Sequence, residues 1–184
     1  AGAFGTINGV AYMAYLASET KKLAPEIRFL AIGDGKEWSF VEKTASDLKV
    51  LGDNFFMMRS IPKIEIPGWF SAATITTSLV INIKETWKNS ANKFFDSFAA
   101  GKPIAINYKG WQEKILNESN AGIVLDQENL QLAASALVSK LQNTTWLLEA
   151  TQNAKNLALS VFNRDELAKK LEKILMDAQK TWER

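Results

Sequence analysis

The sequence predicts an α/β domain, a parallel sheet with helices on both faces, closed by a helical tail. Three observations predict it. Short apolar runs alternate with longer amphipathic stretches as far as Leu125. The early runs end in glycine-rich or polar turn signals. Beyond Leu125 only helical periodicity recurs. Strands buried on both faces read as continuous apolar runs, and helices between them are what parallel crossovers require.

The elements follow in order. Ala1-Gly2-Ala3-Phe4-Gly5 is loop chemistry with no element before it. Residues 7–22 read as a helix with Ile7, Val10, Ala14 and Ala17 on one stripe. Ile27 to Ile32 is a short apolar strand, closed by Gly33-Asp34-Gly35. Residues 37–50 form a second helix that stops near Gly52, and Asn54 to Met58 is the next strand. Residues 60–73 read as a loop with a short helix, broken by Pro62 and by Pro67-Gly68. Thr74 to Ile81 is rich in β-branched residues and reads as a strand.

A helix over 92–100 comes next. Phe94, Phe95, Phe98 and Ala99 can face a core together, and Asn92, Lys93 and Asp96 share the opposite face. Gly101 ends this helix, and Pro103 opens a strand from Ile104 to Asn107. A helix over about 111–118 and a small strand, Gly122 to Leu125, complete the sheet. Three helices remain. The first carries Leu130, Ala134, Leu137, Val138 and Leu141, and the second runs from about Thr145 to Val161. The last carries Leu167, Leu171, Ile174, Leu175, Ala178 and Trp182. Residues 145–184 therefore form the tail. No repeat or low-complexity linker divides the chain, so residues 1–184 read as a single domain.

Composition bounds the chemistry. The chain has 184 residues, 47% apolar and 23% charged, with a net charge of +2 on scattered lysines and arginines. That distribution offers nucleic acid no footprint. There is no cysteine, which excludes disulfides and thiolate metal sites. There is no histidine either, which removes the commonest general base and metal ligand. Acid–base work would fall to carboxylates, lysines or tyrosines. No apolar run approaches the roughly 20 residues of a membrane span, and no signal peptide is visible.

In sheets of this kind ligands bind outside the carboxyl ends of the strands. Residues 1–6, 33–36, 59–63 and the start of the 92–100 helix should therefore converge on one crevice. Gly2 and Gly5 precede a helix, where backbone amides can approach an anion. Their G-x-x-G spacing differs from the G-x-G-x-x-G of dinucleotide enzymes, and by itself reads as a tight turn. Asp34 could touch a ribose, or simply close a strand–helix turn. Asn92, Lys93 and Asp96 say more. A helix start beside a lysine suits a phosphate, and Asp96 lies one turn on, within reach of sugar hydroxyls. The plainer alternative is a solvated face with a Lys93–Asp96 pair. Lys88 either balances a diphosphate or is an exposed loop lysine. Trp69, Trp87 and Trp111 could stack on a base or sugar, though Trp69 and Trp111 read better as packing residues.

Taken together, GAFGTINGV, FLAIGDG, SIPKIEIPGWFSAAT and NKFFDSFAAGKPIAI resemble the C-terminal domain of family-four glycosyltransferases. The bacterial enzymes of colanic-acid-type, O-antigen and capsule assembly look most similar. The resemblance implies a GT-B fold, two Rossmann-like domains facing a cleft, of which this chain is the donor-binding half. It implies retaining transfer of a sugar from a nucleoside diphosphate sugar of UDP or GDP type, with no cofactor and no bound metal. Gly2, Phe4 and Gly5 would lie at the donor phosphates, with Gly33 and Gly35 beside them. Arg59, Ser60 and Ile61 would meet the base. Asn92, Lys93 and Phe94 would offer amides to the diphosphate, and Asp96 would hold the ribose.

Two departures stand out. Where many members carry a glutamate near the transferred sugar, this chain has Lys88, the candidate catalytic position. Where many carry Arg and Lys in the first loop, it has Thr6 and Asn8. Lys88 or Lys93 would then supply the missing charge. The family's first strand precedes the glycine loop, so the sheet should show a gap. That gap is left open, filled by a neighbouring chain, or bridged by rearrangement. The resemblance further implies an acceptor domain ahead of residue 1 and a cytoplasmic enzyme working at the inner face of the membrane. Residues 1–184 alone should be inactive and prone to self-association. Two other readings stay open: a nucleotide-sugar epimerase, and a degenerate, non-catalytic interaction module.

Overall fold

The computed structural model describes residues 1–182, with side chains placed through residue 180. Trp182, the last apolar position of the expected tail stripe, falls outside the described side chains.

A 3-10 turn over Thr6–Asn8 leads to α1 (Val10–Leu23), β1 (Phe29–Ile32), α2 (Trp38–Asp47) and β2 (Phe55–Met58). After α3 (Ile66–Ala72) come β3 (Thr76–Ser78) and a 3-10 turn over Lys84–Lys88. The second half runs α4 (Asn92–Ala99), β4 (Ile104–Ile106), α5 (Trp111–Ser119) and β5 (Gly122–Val124). It ends in α6 (Leu130–Gln142), α7 (Thr144–Asn156) with a π-turn over Leu157–Val161, and α8 (Arg164–Trp182).

Every strand pairing is parallel, as expected, but the sheet is in two pieces. One holds β1 and β2; the other has the order β3-β4-β5. The break lies between β1 and β3, where the resemblance placed a gap. A cavity of about 600 Å³ occupies it, lined by β1, β3, α1, α3 and α6. The core nonetheless spans both pieces. Ala14, Leu16 and Ala17 of α1 share one buried cluster with Phe29, Phe55, Ala105, Ile123 and Leu137. A second cluster gathers Phe94, Phe98, Ile104, Ile106 and Leu116 around α4, β4 and α5.

The structure corrects several sequence expectations. Ile7 is 52% exposed, because the Thr6–Asn8 turn swings it off the α1 stripe. Pro67 and Gly68 do not break a helix; they sit in the first turn of α3, where proline's missing N–H has no partner to lose. Only Thr76–Ser78 of the Thr74–Ile81 run joins a ladder. Ala99 is exposed, and Ser97 takes the buried place beside Phe94 and Phe98. Trp69 is not a core residue; it is 38% exposed and lines the open cavity.

Candidate functional site

The first two loops close on one another through the main chain. The Gly2 N–H donates to the Ile32 carbonyl at 2.8 Å, and the Phe4 N–H donates to the Asp34 carbonyl at 2.8 Å. The Phe4 carbonyl in turn accepts from the Glu37 N–H at 2.9 Å. Residues 2–4 thus lie flat against the end of β1, and this dictates the glycines. A Cβ on Gly33 would stand 1.8 Å from the Gly2 carbonyl oxygen, and one on Gly35 would stand 2.6 Å from that of Phe4. The Phe4 ring is buried and packs on Trp38 at 5.0 Å.

The loop after β2 joins through one side chain. Arg59 donates to the Asp34 carboxylate at 2.8 Å and lies 3.9 Å over the Trp38 ring. Asp34 also accepts from the Gly35 N–H, so its carboxylate is engaged inside the protein. Ser60 is exposed and Ile61 half-buried, and neither enters these contacts.

The start of α4 forms the opposite wall. Lys93 reaches towards the glycine loop, its Nζ 4.0 Å from where a Cβ on Gly2 would sit. It lines a small cavity of about 40 Å³ with Gly2, Ile32, Thr77 and Leu79. Burial pulls the Lys93 amine below its ordinary value. Among the described residues no carboxylate pairs with it, and the Lys93–Asp96 ion pair of the plainer alternative is not formed. Asn92 and Asp96 are exposed on the same side. The Phe94 N–H turns back to the Ala91 carbonyl at 3.0 Å and its ring is buried. That leaves the Asn92 and Lys93 amides as the outward donors of the helix start. Lys88 ends the 3-10 turn, exposed and without an ion pair among the described residues.

Side chains that the sequence did not single out hold α4 in place. Ser97 is fully buried; its hydroxyl donates to the Lys93 carbonyl at 2.6 Å and accepts from Thr76 Oγ1 at 2.7 Å, pinning α4 to β3. Gln112 is also buried, and its Nε2 donates to the Asn89 carbonyl at 2.6 Å, fixing the loop that enters α4. Asn107 exchanges two 2.9 Å bonds with the Val80 backbone and so extends the β3–β4 contact. A serine amid phenylalanines was a readable signal. Nothing local marked Gln112. Trp111 packs edge-on to Phe94 at 5.5 Å and stacks with Phe95 at 6.1 Å, the packing role expected of it. Trp87 is half-buried, its Nε1 enclosed without a partner.

No family model and no curated protein sequence matches the chain. Solved structures do. The chain is similar to sucrose-phosphate synthase from Thermosynechococcus elongatus, with a TM-score of 0.74 or better here as in the next two: 0.79, at 13% identity, over 98% of this chain and 45% of that one. The C-terminal domain of the group 1 glycosyltransferase LpcC from Francisella tularensis matches with a TM-score of 0.74 and 16% identity, over 89% of this chain and 84% of that domain. TarM from S. aureus, a mutant solved with UDP, matches with a TM-score of 0.74 and 12% identity, over 93% of this chain and 34% of TarM. The chain thus spans a third to a half of the longer proteins and most of the isolated domain. Its fold is that of a GT-B C-terminal domain, as the resemblance implied.

Proposed function

We propose that the chain is the donor-binding domain of a retaining glycosyltransferase, taking a nucleoside diphosphate sugar of UDP or GDP type for surface-polysaccharide synthesis. The observation that carries this is Lys93: a desolvated amine without an anionic partner, between a glycine loop and the open amides of a helix start. A buried charge persists when something compensates it, and a diphosphate is the anion this arrangement fits.

In this reading the Asn92 and Lys93 amides and the Lys93 ammonium receive the diphosphate, and the Gly2–Gly5 backbone closes over it. Asp96 accepts the ribose hydroxyls. The segment Arg59-Ser60-Ile61 borders the base, with Arg59 held by Asp34 and Trp38. Lys88, exposed at the approach to α4, adds a second cation where relatives of this fold are expected to place a carboxylate. As the sugar–phosphate bond breaks, negative charge grows on the departing diphosphate. Fixed amides and ammonium groups stabilise that charge without reorganising. Transfer itself would need an acceptor domain.

Calorimetric titration of the chain with UDP, GDP, ADP and NAD tests the reading. One of the uracil or guanine diphosphates should bind. Lys93→Ala should weaken it by about 1.5–3 kcal/mol, roughly 10- to 150-fold. Binding of NAD alone would overturn the proposal in favour of a dehydrogenase. Binding of none would favour the interaction module, a reading kept alive by Lys88.

A further inference from the structure

The two walls of the crevice stand on different pieces of the sheet. The glycine loop is bonded to the end of β1, whereas α4 is pinned to β3 and packs over β4. A diphosphate held between them needs their spacing fixed. No strand ladder joins the two pieces, so something else must fix it.

The pairing of β3 with β4 ends at Ser78 and Ile106. β4 still pairs onward with β5 there, the Leu125 N–H donating to the Ile106 carbonyl at 2.7 Å. Past that point β3 is held by a side chain. Asn107 is 1% exposed; its Nδ2 donates to the Val80 carbonyl at 2.9 Å, and its Oδ1 accepts from the Val80 N–H at 2.9 Å. One amide thus satisfies both main-chain groups of one residue, as a neighbouring strand would, and holds Val80 a side chain's length off the β4 main chain. Gln127 Nε2 donates to the same carbonyl at 3.0 Å.

From there Val80 meets both walls. Its side chain is buried in the cluster of Phe94 and Phe98, beneath α4. Its peptide lies against the start of α1. A Cβ on Gly9 would stand 2.7 Å from the Val80 carbonyl carbon and 2.8 Å from its oxygen. Gly9 also has a φ of 52°, so space and backbone both call for glycine. One residue on, the Ile81 N–H donates to the Ile7 carbonyl at 3.1 Å. The glycine loop moves with this contact. Asn8 donates from its side chain to the Ala3 carbonyl at 2.7 Å and from its N–H to the Gly5 carbonyl at 2.9 Å.

We propose that Asn107 is a positioning residue for the diphosphate. Through the Val80 peptide and Gly9 it sets the distance between the glycine loop and the start of α4. This rests on the donor-site reading above. In that reading the base and the glycine loop belong to the first piece, and Lys93 to the second. A nucleoside alone does not span the two pieces; its diphosphate does. Loss of the Asn107 grip therefore acts on the phosphates and spares the base.

Asn107→Asp tests this with little change of size. As a carboxylate it sets an oxygen against the Val80 carbonyl, where the amide had a donor. Protonated, it donates again. Burial disfavours the charged form and raises that carboxyl's pKa, so the defect should be largest near pH 9 and shrink towards pH 5. Wild type and variant are titrated with UDP, GDP, uridine and guanosine at both pH values, followed by NMR shifts. Each variant affinity is divided by the wild-type affinity at the same pH, which cancels titration of the phosphates and of Lys93. Near pH 9 the diphosphate that wild type binds should lose about 10-fold or more and its nucleoside less than about twofold, and at pH 5 the diphosphate ratio should recover. Gln127→Leu removes only the second donor to Val80. It should give a smaller loss of the same diphosphate-only kind, and it carries the test if the aspartate variant does not fold. Equal losses for diphosphate and nucleoside would mark a merely structural role and overturn the proposal. Unchanged diphosphate affinity would overturn it too, with the donor-site reading left standing. Wild type that binds neither UDP nor GDP would remove that reading and this proposal with it.

Discussion

At the scale of single residues, Lys93 and Gly33 show how much one side chain decides. Burial depresses the Lys93 amine, and a bound phosphate would draw it back up. Between the free and bound values the complex holds one more proton than the free protein. Diphosphate affinity should therefore fall as pH rises through that alkaline window. Calorimetry in two alkaline buffers of different ionisation enthalpy checks it; a signal independent of buffer would count against Lys93 as the phosphate partner. Gly33 has a different task. With the Gly2 carbonyl 1.8 Å from any Cβ, Gly33→Ala must push the first loop away. We expect a loss of more than ~1 kcal/mol of stability, with faster exchange of the Gly2 and Phe4 amides. The glycines were legible as a turn in the sequence. That they make room for another segment's backbone was not, because the segment lies about thirty residues away in the chain.

Among the elements, α4 carries the site and depends on two supports. Its phenylalanine face sinks into the second core cluster, where Phe94 and Phe98 are fully buried at 4.8 Å from each other. Phe98→Ala should cost about 3–5 kcal/mol, measured by denaturant unfolding, a large share of a typical domain's stability. The second support is the polar set Ser97, Thr76 and Gln112. Gln112→Leu should spare the fold more than the site, loosening the Asn89 loop and weakening diphosphate binding while the melting temperature moves little. Caps behave more simply. The Asn143 side chain accepts from the Trp146 N–H at 2.9 Å, so Asn143→Ala should cost about 1 kcal/mol through α7. The face of α4 was readable from its spacing, and Ala99 was the one misplaced member. A helix this short can roll by part of a turn to seat its larger rings, and Ser97 rather than Ala99 then meets β3.

For the whole molecule, the division of the sheet matters most. One buried cluster crosses the gap through α1 and α6, which keeps the two pieces together without a strand between them. Among the described residues α8 contributes nothing to either cluster: its Leu167, Leu171, Ile174 and Leu175 are exposed. Truncation after Asn163 should leave the melting temperature of the remainder unchanged, as followed by circular dichroism. Among the described residues no helix is long and apolar enough to cross a membrane. The α/β class, the order of the elements and the helix faces follow from local patterning, since turn chemistry and periodicity act over a few neighbours and survive any arrangement of the rest. Two things do not. The unpaired amine of Lys93 and the buried grip of Gln112 depend on which distant segments come to lie side by side. Burial and pairing are properties of that arrangement, and no stretch of the chain carries them alone.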